Sequence, residues 1–148
     1  MIAIGLGALL ATLLAASAVP AASEGAKFSA LIEIDRGGIM TSSTQIRVDL
    51  ASKTLALSNA QGSHVLGLSD GAIAQIHQAA VDLLASPEIK KTCMPSMDSG
   101  GSMRVEVGEQ RYGSEILRGC QTHAEERLEA AVSCAAYPDT PSSTCPRP

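Results

Sequence analysis

Aromatic side chains are nearly absent: among 148 residues there are one Phe, two Tyr and no Trp. That scarcity removes the stacking platforms on which single-stranded nucleic acid and most sugar-binding grooves depend. Charged side chains are missing from the start of the chain, where none occurs before Glu24. The remainder sets 11 Lys and Arg against 15 Asp and Glu, for a net charge of −4. A mildly acidic chain without basic clusters does not suit a phosphate backbone, so no nucleic acid partner is expected. Catalytic signatures are missing too: there is no Gly-x-Ser-x-Gly elbow, no His-Glu-x-x-His pair and no glycine-rich phosphate loop. The adjacent carboxylates Glu125 and Glu126 would point about 100° apart on a helix rather than across a substrate. They read as a cap and a solvated face shared with Arg127. The expectation is a protein that is not an enzyme and carries no cofactor or metal.

What is present begins with an apolar run. Residues 2–19 hold only Ile, Leu, Ala, Gly and Val with one Thr and one Ser, and small residues follow. This is the pattern of a secretory signal peptide over residues 1–21, cleaved after Ala18 or after Ala21. Pro20 favours either site by ending the apolar helix where a peptidase needs extended backbone. No basic residue precedes the run, and as a helix it would measure about 27 Å against a hydrocarbon core of about 30 Å. An uncleaved anchor therefore stands as the alternative to a cleaved signal. With the signal removed, a secreted or periplasmic protein with no membrane association is expected.

All four cysteines, Cys93, Cys120, Cys134 and Cys145, lie downstream of that segment. An even number in an oxidising compartment reads as two bridges, and no Cys-x-x-Cys suggests a metal ribbon. A helix over 123–134 would hold Cys120 and Cys134 about 20 Å apart, whereas a disulfide needs Cα atoms within about 7 Å. Cys93–Cys120 with Cys134–Cys145 is favoured; Cys93–Cys134 with Cys120–Cys145 is the alternative.

Residues 24–136 read as one α+β domain. Phe28, Ala30, Ile32 and Ile34 alternate as one face of a half-buried strand, and Asp35-Arg36-Gly37-Gly38 is a turn signal. Ile46, Val48 and Leu50 alternate in a second strand, Ala51-Ser52-Lys53 turns the chain, and a third strand covers Thr54–Ser58. Asn59–Gly62 reads as a loop. Ser69 is the expected N-cap of a helix whose stripe is Ile73, Ile76, Ala80, Leu83 and Leu84, ended by Pro87. Residues 88–101 read as an irregular loop. Met103, Val105 and Val107 then alternate, Gly108-Glu109-Gln110 turns, and a strand follows to about Leu117. Thr122-His123-Ala124-Glu125 matches a capping box opening a helix with stripe Leu128, Ala131, Val132 and Ala135. The order is β-β-β-α-β-β-α: an antiparallel sheet with both helices on one face. Residues 137–148 form a Pro-rich tail tethered by a disulfide.

The histidines read blandly. His77 lies at the edge of the first helical stripe and His64 in a Gly/Ser-rich loop, as a solvated loop residue. Cys120 and His123 lie three apart at a helix N-terminus, where a thiolate could bind metal, but an oxidised Cys120 removes the ligand.

Ile32-Glu33-Ile34-Asp35-Arg36-Gly37-Gly38, the strand Gln45–Leu50, the helix opening at Leu68-Ser69, the strand Met103-Arg104-Val105-Glu106-Val107 and the final helix together resemble the emfourin family. Emfourins are small bacterial inhibitors of protealysin, a thermolysin-like metalloprotease. The resemblance covers about residues 28–135 and implies an α+β inhibitor; it assigns no inhibitory residue here, and the cysteines and signal segment stand outside it. The functional expectation is an exported, disulfide-bonded binding protein, an inhibitor of a secreted protease or other enzyme, with Met94, Pro95, Met97 and Asp98 as the contact loop. A non-catalytic envelope-associated accessory protein and a periplasmic immunity protein are the alternatives. The protein partner and the oligomeric state are left open by the sequence.

Overall fold

The computed structural model describes residues 30–38, 41–85, 100–117, 120–139 and 145. Six strands form one antiparallel sheet: β1 (Ala30–Gly38), β2 (Thr41–Asp49), β3 (Thr54–Asn59), β4 (Gly62–Gly67), β5 (Gly100–Val107) and β6 (Gln110–Leu117). Their spatial order is β4-β3-β2-β1-β5-β6, so β1 is where the N-terminal meander meets the C-terminal hairpin. Two helices, α1 (Asp70–Ala85) and α2 (His123–Ala136), pack on one face of the sheet. The architecture is the expected α+β one, with one strand more in the first meander. No helix among the described residues is long and apolar enough to cross a membrane.

Side-chain alternation along each strand separates the two faces. Ala30, Ile32 and Ile34 of β1 point into the core with Ile46 and Val48 of β2, Leu55 of β3, and Met103 and Val105 of β5. From α1 come Ile73, Ile76, Ala80 and Leu83, and from α2 come Ala124, Leu128, Val132 and Ala136. Ile32, Val48, Leu55, Ile76, Val105, Leu128 and Val132 are fully inaccessible, so this one cluster supplies the apolar burial that stabilises the domain.

The turns follow local chemistry. Asp49 Oδ1 accepts the backbone N–H groups of Ala51 (2.9 Å) and Ser52 (3.2 Å), while Lys53 takes φ 56°. The β5–β6 connection is a two-residue loop with positive φ at Gly108 (59°), the first-position glycine of a type II′ hairpin. Ser69 caps α1, its Oγ accepting the Ala72 N–H at 3.2 Å. Thr122 and Glu125 form the reciprocal capping box of α2.

Three sequence expectations are corrected. Asp35–Gly38 is not a turn but the end of β1, where Arg36 and Gly37 pair with Gly101 and Gly100 of β5. The same pairing moves Gly100 and Gly101 out of the expected loop: a Cβ at Gly101 would collide with the Asp35 carbonyl oxygen, so glycine lets the two strands approach. Residues 62–67 form β4, paired with β3 from Asn59↔Gly62 to Thr54↔Gly67. The apolar alternation that marks a buried strand is weak there because β4 is an edge strand and mostly exposed.

Candidate binding surface

The face of the sheet opposite the helices is covered by no element among the described residues. Register aligns its side chains into rows across the strands. One row runs Val65, Ala56, Arg47, Glu33, Arg104 and Gly113, from one edge to the other. A second runs Ser63, Ser58, Gln45, Asp35, Ser102 and Glu115. Glu33 sits between two guanidinium groups, with Arg47 Nη1 3.8 Å from one carboxylate oxygen and Arg104 Nη1 3.6 Å from the other. Both arginines are well exposed, so these pairs order the surface more than they stabilise it. Small side chains flank them: Ala56, Ser58 and Ser63 towards β4, Ser102 and Gly113 towards β6. Gly113 leaves a polar depression of about 390 Å³ walled by Glu33, Asp35, Ser102, Arg104 and Glu115. Ser102 Oγ donates to Asp35 Oδ2 at 3.2 Å on its floor.

On the opposite side a second concavity of about 620 Å³ runs between the two helices. Its floor is Ala79, Ala130 and Ala131, small enough to let the helices approach, and its rim carries Asp82, Glu126 and Arg127. The Gln78 amide donates to Asp82 Oδ1 (2.8 Å), and His123 Nδ1 lies 3.4 Å from Glu126 Oε2. His123 is thus an exposed member of a surface pair. Among the described residues no group of three or more His, Cys, Asp and Glu is arranged to hold a metal ion. His64 is exposed on β4, and His77 is half-buried on α1.

A polar cluster lies under the first turns of α2. Glu125 is fully buried, which corrects the expected solvated face; Glu126 alone of that pair is exposed. Tyr112 Oη donates to Glu125 Oε1 at 2.6 Å, and the Thr122 backbone N–H donates to Oε2 at 2.9 Å. Burial, and then the hydrogen bond to that carboxylate, push the Tyr112 phenol up to about 12. One turn on, the buried Glu129 accepts from the Gln121 amide and pairs with Arg36 of β1. Glu129 is missed by the sequence reading, although Glu125 and Glu129 share the helical spacing of Leu128 and Val132. Carboxylates on an apolar stripe signal buried partners. These groups are consumed by one another, and the cluster fastens α2 to β6 and β1.

Cys134 and Cys145 are joined, with Cα atoms 5.5 Å apart, as favoured. Cys120 is also disulfide-bonded, so the thiolate reading of Cys120 and His123 does not hold. Its expected partner Cys93 lies outside the described residues, as do Met94, Pro95, Met97 and Asp98 of the expected contact loop and the signal segment 1–21. Comparison with protein-family models returns no match to this chain, and comparison with curated protein sequences returns none either.

Proposed function

We propose that this protein is exported and works without catalysis of its own, by binding another protein through the open face of its sheet. The observation that carries the reading is that face: a strand-ordered surface with a central Glu33-centred ion triad flanked by small residues and a polar depression, covered by no element among the described residues, while the opposite face packs against the helices. Such a surface can seat a partner's side chains without rearranging, which keeps the entropic cost of association low. The apolar segment 1–21 and the Cys134–Cys145 bridge support an oxidising destination. The emfourin-like pattern makes a secreted thermolysin-like metalloprotease the first partner to try, with inhibition as the outcome of binding.

The test uses the full chain and two variants of the open face, Ala56→Arg and Arg104→Glu, with Gln75→Arg in the helix groove as the control. Each is used to capture proteins from the producing cell's own culture medium, and each is assayed against the proteolytic activity of that medium. Capture or inhibition should be lost in the face variants and kept in the control. Equal capture by all four proteins would remove the open face from the proposal. Intact-mass measurement of protein recovered outside the cell should give a chain beginning at Val19 or Ala22.

A further inference from the structure

The two edges of the sheet differ in a way that bears on assembly. Edge β4 (Gly62–Gly67) carries no Asp, Glu, Lys or Arg. Edge β6 carries Arg111 and Glu115, both exposed, both on the open face, and placed symmetrically about Gly113. Charged side chains on an edge ordinarily prevent pairing with another strand. Here their spacing permits one pairing in particular.

We infer that β6 pairs with β6 of a second copy of this chain, antiparallel about a two-fold axis at Gly113. In that register Arg111 lies opposite Glu115 of the copy, Glu115 opposite its Arg111, and Gly113 opposite itself. Moving the axis two residues along β6, to Arg111 or to Glu115, would instead set that residue against its own like-charged equivalent, and moving it one residue would set Arg111 or Glu115 opposite Gly113 and lose both ion pairs. Charge complementarity therefore selects the occupant and the register together.

The backbone agrees. A two-residue hairpin loop is closed by a hydrogen-bonded pair, here Val107 and Gln110, and antiparallel ladders alternate bonded and non-bonded pairs. Gln110, Tyr112 and Ser114 thus spend their N–H and C=O groups on β5. Arg111, Gly113 and Glu115 point theirs outward, so the three outward residues are those the two-fold register brings into bonded pairs. Gly113 leaves room at the axis: a Cβ there would meet nothing within 4 Å. Arg111 Nε reaches Glu106 across β5 at only 3.7 Å, and its guanidinium has further donors to offer the copy. The pairing would join two six-stranded sheets and make their two polar depressions neighbours across the axis.

Sedimentation velocity on the full chain across the micromolar range tests this. Wild-type chain should dimerise. Arg111→Glu and Glu115→Arg should each raise the dimer dissociation constant at least about tenfold, because like charges then face each other at both ends of the pairing. Mixing the two variants should restore dimer, as heterodimer, since each supplies the charge that the other lacks. Val65→Lys on the β4 edge should leave dimerisation unchanged, and circular dichroism should show every variant folded. A wild-type chain that stays monomeric to its solubility limit would overturn the inference. So would charge-reversed variants that dimerise like wild type, a mixture that does not recover dimer, or loss of dimer in Val65→Lys.

Discussion

The same strands build two faces of opposite character, one packed against the helices and one open. On β1, Ile32 and Ile34 are inaccessible in the core, while Glu33 and Asp35 between them line the open surface. Across the whole sheet the covered face is closed by two helices. The open face is spanned by an ion triad, serines and a glycine depression. In the proposed reading, stability and recognition occupy separate sides of a single layer of backbone. Substitutions on one side should therefore be felt in unfolding experiments and on the other in binding experiments.

The largest effect is expected where the covered face is densest. Leu128→Ala removes a fully buried side chain between α2 and the sheet and should cost about 3 kcal/mol in urea unfolding. A loss below about 1 kcal/mol would mean that α2 is not a layer of the core. Next comes the polar corner of that face. Glu125→Gln keeps the size of the side chain but removes the carboxylate shared by Tyr112 and the α2 cap. A destabilisation of about 2 kcal/mol is expected, and ultraviolet titration should show the Tyr112 phenol falling from about 12 towards its ordinary range. Because the folded value is raised, the stability Tyr112 contributes is fully present below about pH 10 and is lost as pH climbs through about 12. The variant should lose part of that alkaline dependence, the part due to burial remaining.

At the border between the faces, Asp49 is held below the usual carboxylate range, chiefly by the Ser52 backbone N–H. A lowered folded value means its contribution is present above about pH 4 and disappears as pH falls further. Asp49→Asn should flatten that acid limb and cost about 1 kcal/mol at neutral pH, read from thermal melts at stepped pH. The smallest effect belongs to the open face, where Ala56→Arg should change stability by no more than about 0.5 kcal/mol while abolishing partner capture. A clear destabilisation by Ala56→Arg would erase the division of labour between the faces.

Much of this fold is legible in the residues because strand and helix periods survive local reading. Ile46 and Val48, Met103 and Val105, and Ile73, Ile76, Ala80 and Leu83 announce their buried faces by spacing alone. The two capping signals, at Ser69 and at Thr122 with Glu125, are equally local. What escapes such reading is what depends on neighbours distant in sequence. Gly100 and Gly101 look like loop residues until β1 is laid beside them and the Asp35 carbonyl leaves no space for a Cβ at Gly101. Asp35–Gly38 looks like a turn until its partners in β5 are known. β4 lacks an apolar alternation because an edge strand has little to bury, so only its ladder to β3 identifies it. Glu129 looks solvated until Arg36 and Gln121 converge on it.

The candidate site is less legible than the fold. An open sheet face is made of residues from five or six strands, and its rows exist only once register is set. Glu33, Arg47 and Arg104 are inconspicuous in sequence, far apart along the chain, and become one triad through two ladders.

By itself, the sequence determined the elements: which stretches alternate with period two, which carry a helical stripe, where hydroxyls and carboxylates cap, and that four cysteines follow an uncharged apolar segment. These are short-range properties, set by side-chain volume, polarity and backbone preference within a few residues. Only the tertiary structure decided the strand order β4-β3-β2-β1-β5-β6, the burial of Glu125 and Glu129, and the identity of the uncovered face. Those depend on which distant segments share hydrogen bonds and on which side of the sheet the helices close. Residue spacing along the chain does not carry that information.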